Sequence, residues 1–165
     1  MARATRTAHP YDDTDVIDAR APRVNQAFVG LVCLLAFLLQ APVLVALVAL
    51  QLAVGLLFGR RYCLPCVFYF EVLQPRLGEG PLEDARPPRF ANILGCAFTS
   101  VATLAFLAGF EALGWALALL VAALALLAAS TGFCLGCQIY TWFARRRGIP
   151  LREPPSVPPA GGTAT

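Results

Sequence analysis

The strongest constraint in this sequence is that four long apolar runs, about 24–40, 42–58, 90–110 and 113–133, are joined in pairs by almost nothing. A helix needs roughly 17–25 residues to cross a bilayer, and each run supplies them. Hydrocarbon offers the backbone no water, so each run must satisfy its own amide groups as a helix. The segments QAP (40–42) and EAL (111–113) are all that separates the members of each pair, which predicts two tight helical hairpins. A soluble helical core would keep a polar face along each helix, and these runs have none. Of the whole chain, 58% is hydrophobic and 14% charged, against roughly 45–50% and 25% in an ordinary soluble domain. The predicted fold class is an all-α membrane protein with four transmembrane helices.

Arginine placement predicts the orientation, because short cytoplasmic loops collect basic residues. Arg3, Arg6, Arg20 and Arg23 precede the first run, and Arg60, Arg61, Arg76, Arg86 and Arg89 lie between the second and third. Arg145, Arg146, Arg147 and Arg152 follow the fourth, while neither hairpin tip carries a basic residue. Both termini and the central loop are therefore expected on the cytoplasmic side of the cell membrane. The first run follows a mostly polar stretch and leads straight into a hairpin, so it reads as a retained anchor rather than a cleaved signal. Every basic residue is arginine, which removes lysine Schiff-base chemistry. The single histidine, His9, sits in a polar tail and argues against histidine acid–base catalysis. A net charge of +3 is too small to point to nucleic acid.

Two motifs occur twice. DARAPRV (18–24) is matched by DARPPRF (84–90), and YCLPCVFY (62–69) by FCLGCQIY (133–140), in the same order relative to the hairpins. This predicts an internal repeat, with repeat 1 at about 18–77 and repeat 2 at about 84–148. The flanking tails, 1–17 and the Pro/Gly-rich 149–165, have no core-forming pattern and are expected to be disordered. Two spans per repeat would return both C-x-x-C motifs to the arginine-rich face. Pro65 suits the first turn of a new helix, with Cys63 at or near its cap and Cys66 inside the first turn. Gly132 suits the end of the fourth span, and Gly136 stands where the proline stood. The aromatic segments after each motif predict short helices at the cytoplasmic interface.

The stretches D-A-R-x-P-R, C-L-P-C, PLEDARPPRFAN and TGFCLGCQIY resemble those of the bacterial membrane family known as domain of unknown function 4395, over about 15–143. The resemblance implies a small multi-pass protein in the lipid bilayer. It also points to sulfur or redox chemistry, with a cytoplasmic thioredoxin-like protein or sulfurtransferase as partner. Asn25 and Asn92 follow their arginine motifs at spacings that differ by one residue, which argues against equivalent roles.

Three readings of the cysteines compete. In a thiol–disulfide reading, Cys63 and Cys134 attack and Cys66 and Cys137 resolve, with Arg20, Arg23, Arg86 and Arg89 stabilising thiolates or an anionic sulfur substrate. Quinone-coupled dithiol oxidases work toward an oxidising compartment, and the cytoplasmic placement argues against that comparison. In a metal reading, a two-fold axis between the repeats brings Cys63, Cys66, Cys134 and Cys137 into one four-thiol site for zinc or an iron–sulfur cluster. In the third, the thiols only pack and the cytoplasmic helices form a docking scaffold. Cys33 and Cys96 lie inside spans and are expected to be ordinary buried residues. Gly55 and Gly59 form a G-x-x-x-G expected to allow close helix packing, and Gln40, Gln51 and Thr103 are expected to bond between helices. No ionisable residue sits at mid-span, which argues against proton or ion transport.

Overall fold

The computed structural model describes Tyr11 and residues 15–148. The predicted C-terminal tail, and the N-terminal tail up to residue 14 apart from Tyr11, lie outside the described residues. The described residues are about 80% helical. Its long elements are α1 (Arg20–Leu38), α2 (Pro42–Phe58), α5 (Arg86–Leu107) and α6 (Glu111–Thr131). Shorter ones are α3 (Leu64–Phe68), α4 (Gln74–Leu77) and α7 (Leu135–Arg146). Helices α1, α5 and α6 are long and apolar enough to cross a membrane, and α2 is apolar with 17 residues.

The hairpin turns are as short as the sequence requires. Gln40 takes a positive φ of 50° after α1, and Gly109 a φ of 81° after α5. The amide of Gln40 donates to Phe37 O at 2.7 Å and the hydroxyl of Thr103 to Thr99 O at 2.8 Å. Both bonds run back to a carbonyl three or four residues earlier, in α1 and α5 respectively, and replace the expected interhelical ones, because a nearby carbonyl satisfies each group without a partner helix.

Packing assigns the four long helices to the corners of a bundle. Helix α1 lies along α6 and α2 lies along α5, while each also touches its hairpin partner. A Cβ built on Gly30 of α1 would come within 2.7 Å of Leu126 Cγ and 3.2 Å of Ala122 O on α6. Glycine at that point lets the two backbones close together, the usual device between apolar helices. Helices α2 and α6 share no extended interface and so occupy opposite corners. The interior is filled by Val29, Cys33, Val48, Leu52, Val121 and Ala122, and toward the hairpin tips by Ala36, Val45, Ala102 and Ala118. Cys33 is thus a core residue, as expected, and Cys96 packs against the same cluster.

Helices α1 and α5 start earlier than the apolar runs do. A carboxylate oxygen of Asp18 accepts the backbone N–H of Arg20 at 3.0 Å, and one of Asp84 accepts that of Arg86 at 2.9 Å. Each aspartate thereby satisfies one of the amides that a helix leaves open at its start, and its negative charge sits at the positive end of the helix dipole. The arginine motifs are the first turns of these helices rather than loops before them. Ahead of each lies a three-residue strand, β1 (Val16–Asp18) and β2 (Leu82–Asp84), paired antiparallel with Ile17 opposite Glu83. Strand β1 is a correction to the expectation that 1–17, including Val16 and Ile17, is a disordered tail.

Candidate functional site

Both C-x-x-C pairs sit at the end of the bundle where α1 and α5 begin. Helix α2 stops at Gly59, whose φ is 90°, and a single 3-10 turn, Arg60–Tyr62, leads to Cys63. Cys63 is the N-cap of α3, with Pro65 in the first turn, where a missing N–H costs nothing. Helix α6 ends at Gly132 in the left-handed conformation, φ 76°, and Cys134 is the N-cap of α7. These local features match the sequence reading.

Within each pair the sulfurs are bonded as a disulfide, Cys63 to Cys66 and Cys134 to Cys137, with Cα atoms 5.2 Å apart in both. The first sulfur of the second pair accepts the backbone N–H of Cys137 at 3.3 Å. Cys63 and Cys66 are buried, 6% and 8% exposed, in a cluster with Ala21, Tyr69 and Phe70. Cys134 and Cys137 are half-buried.

Polar groups from α1, α2 and α5 surround the first pair. Asn25 Oδ1 lies 3.7 Å from Cys63 Sγ, and Gln51 Nε2 lies 3.6 Å from the same sulfur. Gln51 Oε1 is buried without a hydrogen-bond partner among the described residues. Asn25, only 2% exposed, donates through Nδ2 to Asn92 Oδ1 at 3.1 Å. The two asparagines, whose unequal spacing argues against equivalent roles, therefore meet in one hydrogen bond. Gly55 approaches Cys63 rather than another helix, since a Cβ there would meet Cys63 Cβ at 3.3 Å. Gly59 supplies the turn, so the G-x-x-x-G shapes this site instead of a helix–helix seam.

The segment after Cys66 is anchored by Asp18. Its carboxylate, 2% exposed, accepts the Tyr69 hydroxyl at 2.7 Å, the Gly80 N–H at 2.8 Å and Gln74 Nε2 at 3.3 Å, besides the Arg20 N–H. Burial, and then the bond to Asp18, raise the Tyr69 phenol well above its ordinary range. Tyr69–Leu73 forms a π-helical turn between α3 and α4. Pro75 lacks the N–H that an α-helix would direct back to the Glu71 carbonyl, and a wider turn relieves that conflict. Sequence reasoning saw Asp18 only as part of a motif; a buried acid is recognisable when its partners are known, and Tyr69, Gln74 and Gly80 are distant in the chain.

The four arginines divide their work. Arg86 pairs with Asp84 at 2.8 Å. Together with Arg89 it lines a cavity of about 450 Å³ that also contains Cys63, Cys66, Gln51, Asn25 and Asn92. Arg23 lies over Gly132, where a Cβ would come within 2.7 Å of Nη2, two residues ahead of Cys134. Arg20 packs beside Asp18 and Gly80 rather than toward a sulfur. Arg89 and Arg23 thus each stand near the C-x-x-C of the opposite half of the chain.

The shared four-thiol metal site is not formed. Among the described residues no group of three or more His, Cys, Asp or Glu side chains is placed to hold a metal ion. The reason lies in the bundle: a common site needed α2 and α6 to pack together, and they stand at opposite corners. Asn25, Leu52 and Asn92 line both the cavity at Cys63 and a second cavity at Cys134, so they stand between the two pairs.

Over residues 17–145 the sequence matches the family described as domain of unknown function (DUF4395). The chain belongs to this family. No curated protein and no solved structure matches it. The match to DUF4395 begins within β1 and ends within α7, so it spans the paired strands, the four long helices and both C-x-x-C motifs.

Proposed function

We infer that this DUF4395 protein is a multi-pass membrane protein with four spans and two cytoplasmic thiol–disulfide exchange sites. The observation that carries the reading is that each C-x-x-C opens a helix, with its first cysteine at the cap and a Cα separation of 5.2 Å. That separation lets a disulfide form and open without moving the backbone. A helix N-terminus favours the thiolate of its capping cysteine, and Cys134 also faces the Cys137 N–H. Cys134 is the attacking sulfur of the more accessible pair and Cys137 the resolving one, with Cys63 and Cys66 in the same roles in the buried pair. Arg86 and Arg89 give the Cys63 cavity a cationic wall suited to an anionic thiol or sulfur compound.

The membrane reading rests on the three long apolar helices and on α2, whose 17 residues are at the short end of the range that spans. The arginines at the starts of α1 and α5 and at the end of α7 share the end opposite the hairpin tips, which supports a cytoplasmic placement of that end. A tandem repeat is supported by the matching aspartate caps at Arg20 and Arg86 and by the pairing of β1 with β2.

The test is a redox titration of the purified protein in thiol–disulfide buffers, with alkylation and mass measurement of each pair. A pair that exchanges with cytoplasmic dithiol proteins has a midpoint between roughly −180 and −280 mV, whereas a structural disulfide lies below about −300 mV. Midpoints for both pairs below that limit, or a stoichiometric metal lost on Cys134→Ser, would remove the exchange reading.

A further inference from the structure

We propose that the cavity at Cys134 binds a lipid-soluble quinone, which exchanges two electrons with the Cys134–Cys137 pair. The proposal deepens the thiol–disulfide reading and rests on it. The cavity has a volume of about 430 Å³ and is walled by α1, α5, α6 and α7, with Leu52 of α2, within the roughly 300–1,000 Å³ of small-molecule sites. Its character differs from that of the arginine-lined cavity at Cys63. Phe98, Leu120, Leu124 and Ile139 form its outer wall, and each is partly exposed on the apolar surface of the bundle, Phe98 by 39%. An occupant therefore enters from the hydrocarbon side.

Polar groups occur only at the inner end, where Asn25, Gln26 and Asn92 meet Cys134. The Asn25–Asn92 bond uses one amide N–H and one carbonyl, and Asn92 Nδ2 makes no hydrogen bond among the described residues. The cavity thus offers a donor beside a redox-capable sulfur at the end of an apolar slot. An acyl chain fills such a slot without using the donor. A quinone ring uses both features, placing a carbonyl oxygen at the amide and its isoprenoid tail along Leu120 and Leu124. Gly136 sets the depth, since α7 comes so close to α5 that a Cβ there would lie 3.0 Å from Ala91 Cα.

The step balances as dithiol plus quinone giving disulfide plus hydroquinone. Two S–H bonds break and one S–S bond forms, and the two electrons and two protons pass to the quinone's carbonyl oxygens. A protein dithiol on the cytoplasmic side then re-reduces the disulfide by exchange. The objection drawn from topology concerned which compartment is oxidised, and a quinone in the lipid phase is reachable from either face.

The experiment uses the purified, fully reduced chain under anaerobic conditions. Decylubiquinone and oxidised glutathione are compared as oxidants, with quinone absorbance and alkylation of Cys134 and Cys137 as readouts. The proposal expects one quinone consumed per Cys134–Cys137 disulfide formed. Leu124→Trp, which fills the slot, and Asn92→Leu, which removes the donor, should each lower the ratio of quinone rate to glutathione rate at least tenfold. An azido-quinone should label α5 or α6 peptides in a Cys134→Ser/Cys137→Ser variant, in competition with decylubiquinone. Oxidation by glutathione but not by quinone overturns the proposal and leaves the exchange reading standing. Inertness to both oxidants overturns both. Unchanged rate ratios in both variants, or bound phospholipid that the quinone does not displace, also overturn the proposal.

Discussion

Removing the Asp18 carboxylate should open the structure around the first dithiol. Asp18→Ala takes the acceptor away from the Tyr69 hydroxyl, the Gly80 N–H and the Gln74 amide at once. Tyr69 and Gln74 are buried, and each buried donor left without a partner costs about 1–3 kcal/mol. Water reaching the Gly80 side recovers part of this, so the net loss expected is about 3–5 kcal/mol, similar to other buried charge networks that lose one member. Because Tyr69 and Phe70 pack directly on Cys63 and Cys66, the loss appears as local opening at those sulfurs. At about 1.4 kcal/mol per factor of ten, maleimide labelling of the reduced Cys63–Cys66 pair should accelerate by about 10² to 10⁴. Labelling of Cys134 and Cys137 in the same molecule serves as the internal reference and should change little. Tyr69→Phe should give a smaller effect, and the double variant should show a coupling of about 0.5–3 kcal/mol with Asp18→Ala. Labelling of Cys63 and Cys66 at the original rate, with an unchanged melting temperature, would refute the claim that Asp18 holds α3 in place.

Three further expectations follow from the geometry. Between about pH 10, where an unfolded tyrosine titrates, and the higher folded value of Tyr69, the native state keeps a proton that the unfolded chain has lost. Stability should therefore fall as pH rises above about 10, and the slope should flatten in Tyr69→Phe; equal slopes in the two proteins would contradict the assignment. Gly136→Ala should cost about 1–3 kcal/mol, because its Cβ meets the Ala91 backbone rather than a side chain that can turn away, and a melting temperature equal to the parent's would show that α7 is free to shift. Reporter fusions at Glu111 and after Gly148 should read opposite sides of the membrane, with Glu111 outside, and a cytoplasmic signal at Glu111 would reverse the proposed orientation.

The long helices were readable because hydropathy, Pro42 and Gly132 mark them without reference to anything distant. So was the cap geometry at Cys63 and Cys134, which depends on residues within one turn. The relation between the halves was harder. Three-residue strands show no alternation long enough to recognise, so β1 and β2 left no signal. Which helices share a seam depends on where small residues meet, as Gly30 meets Ala122 and Leu126, and no single helix's pattern encodes its partner. The expected meeting of the four cysteines failed for that reason. The hydrogen bond between Asn25 and Asn92 likewise depends on how α1 and α5 come together and leaves no mark in the spacing of either motif.

The bond from Gly80 to Asp18 spans 62 residues, and that separation sets a schedule for biosynthesis. Ribosomes add roughly 5–20 residues per second, so Asp18 waits about 3–12 s for Gly80, and the first hairpin, whose second helix ends at Phe58, waits about 1–4 s. During that interval the Asp18 carboxylate stays hydrated and Cys63 and Cys66 lack their finished enclosure. The nascent chain thus passes through a stage in which its first dithiol is open to oxidants and chaperones, and the arrival of the second strand ends it.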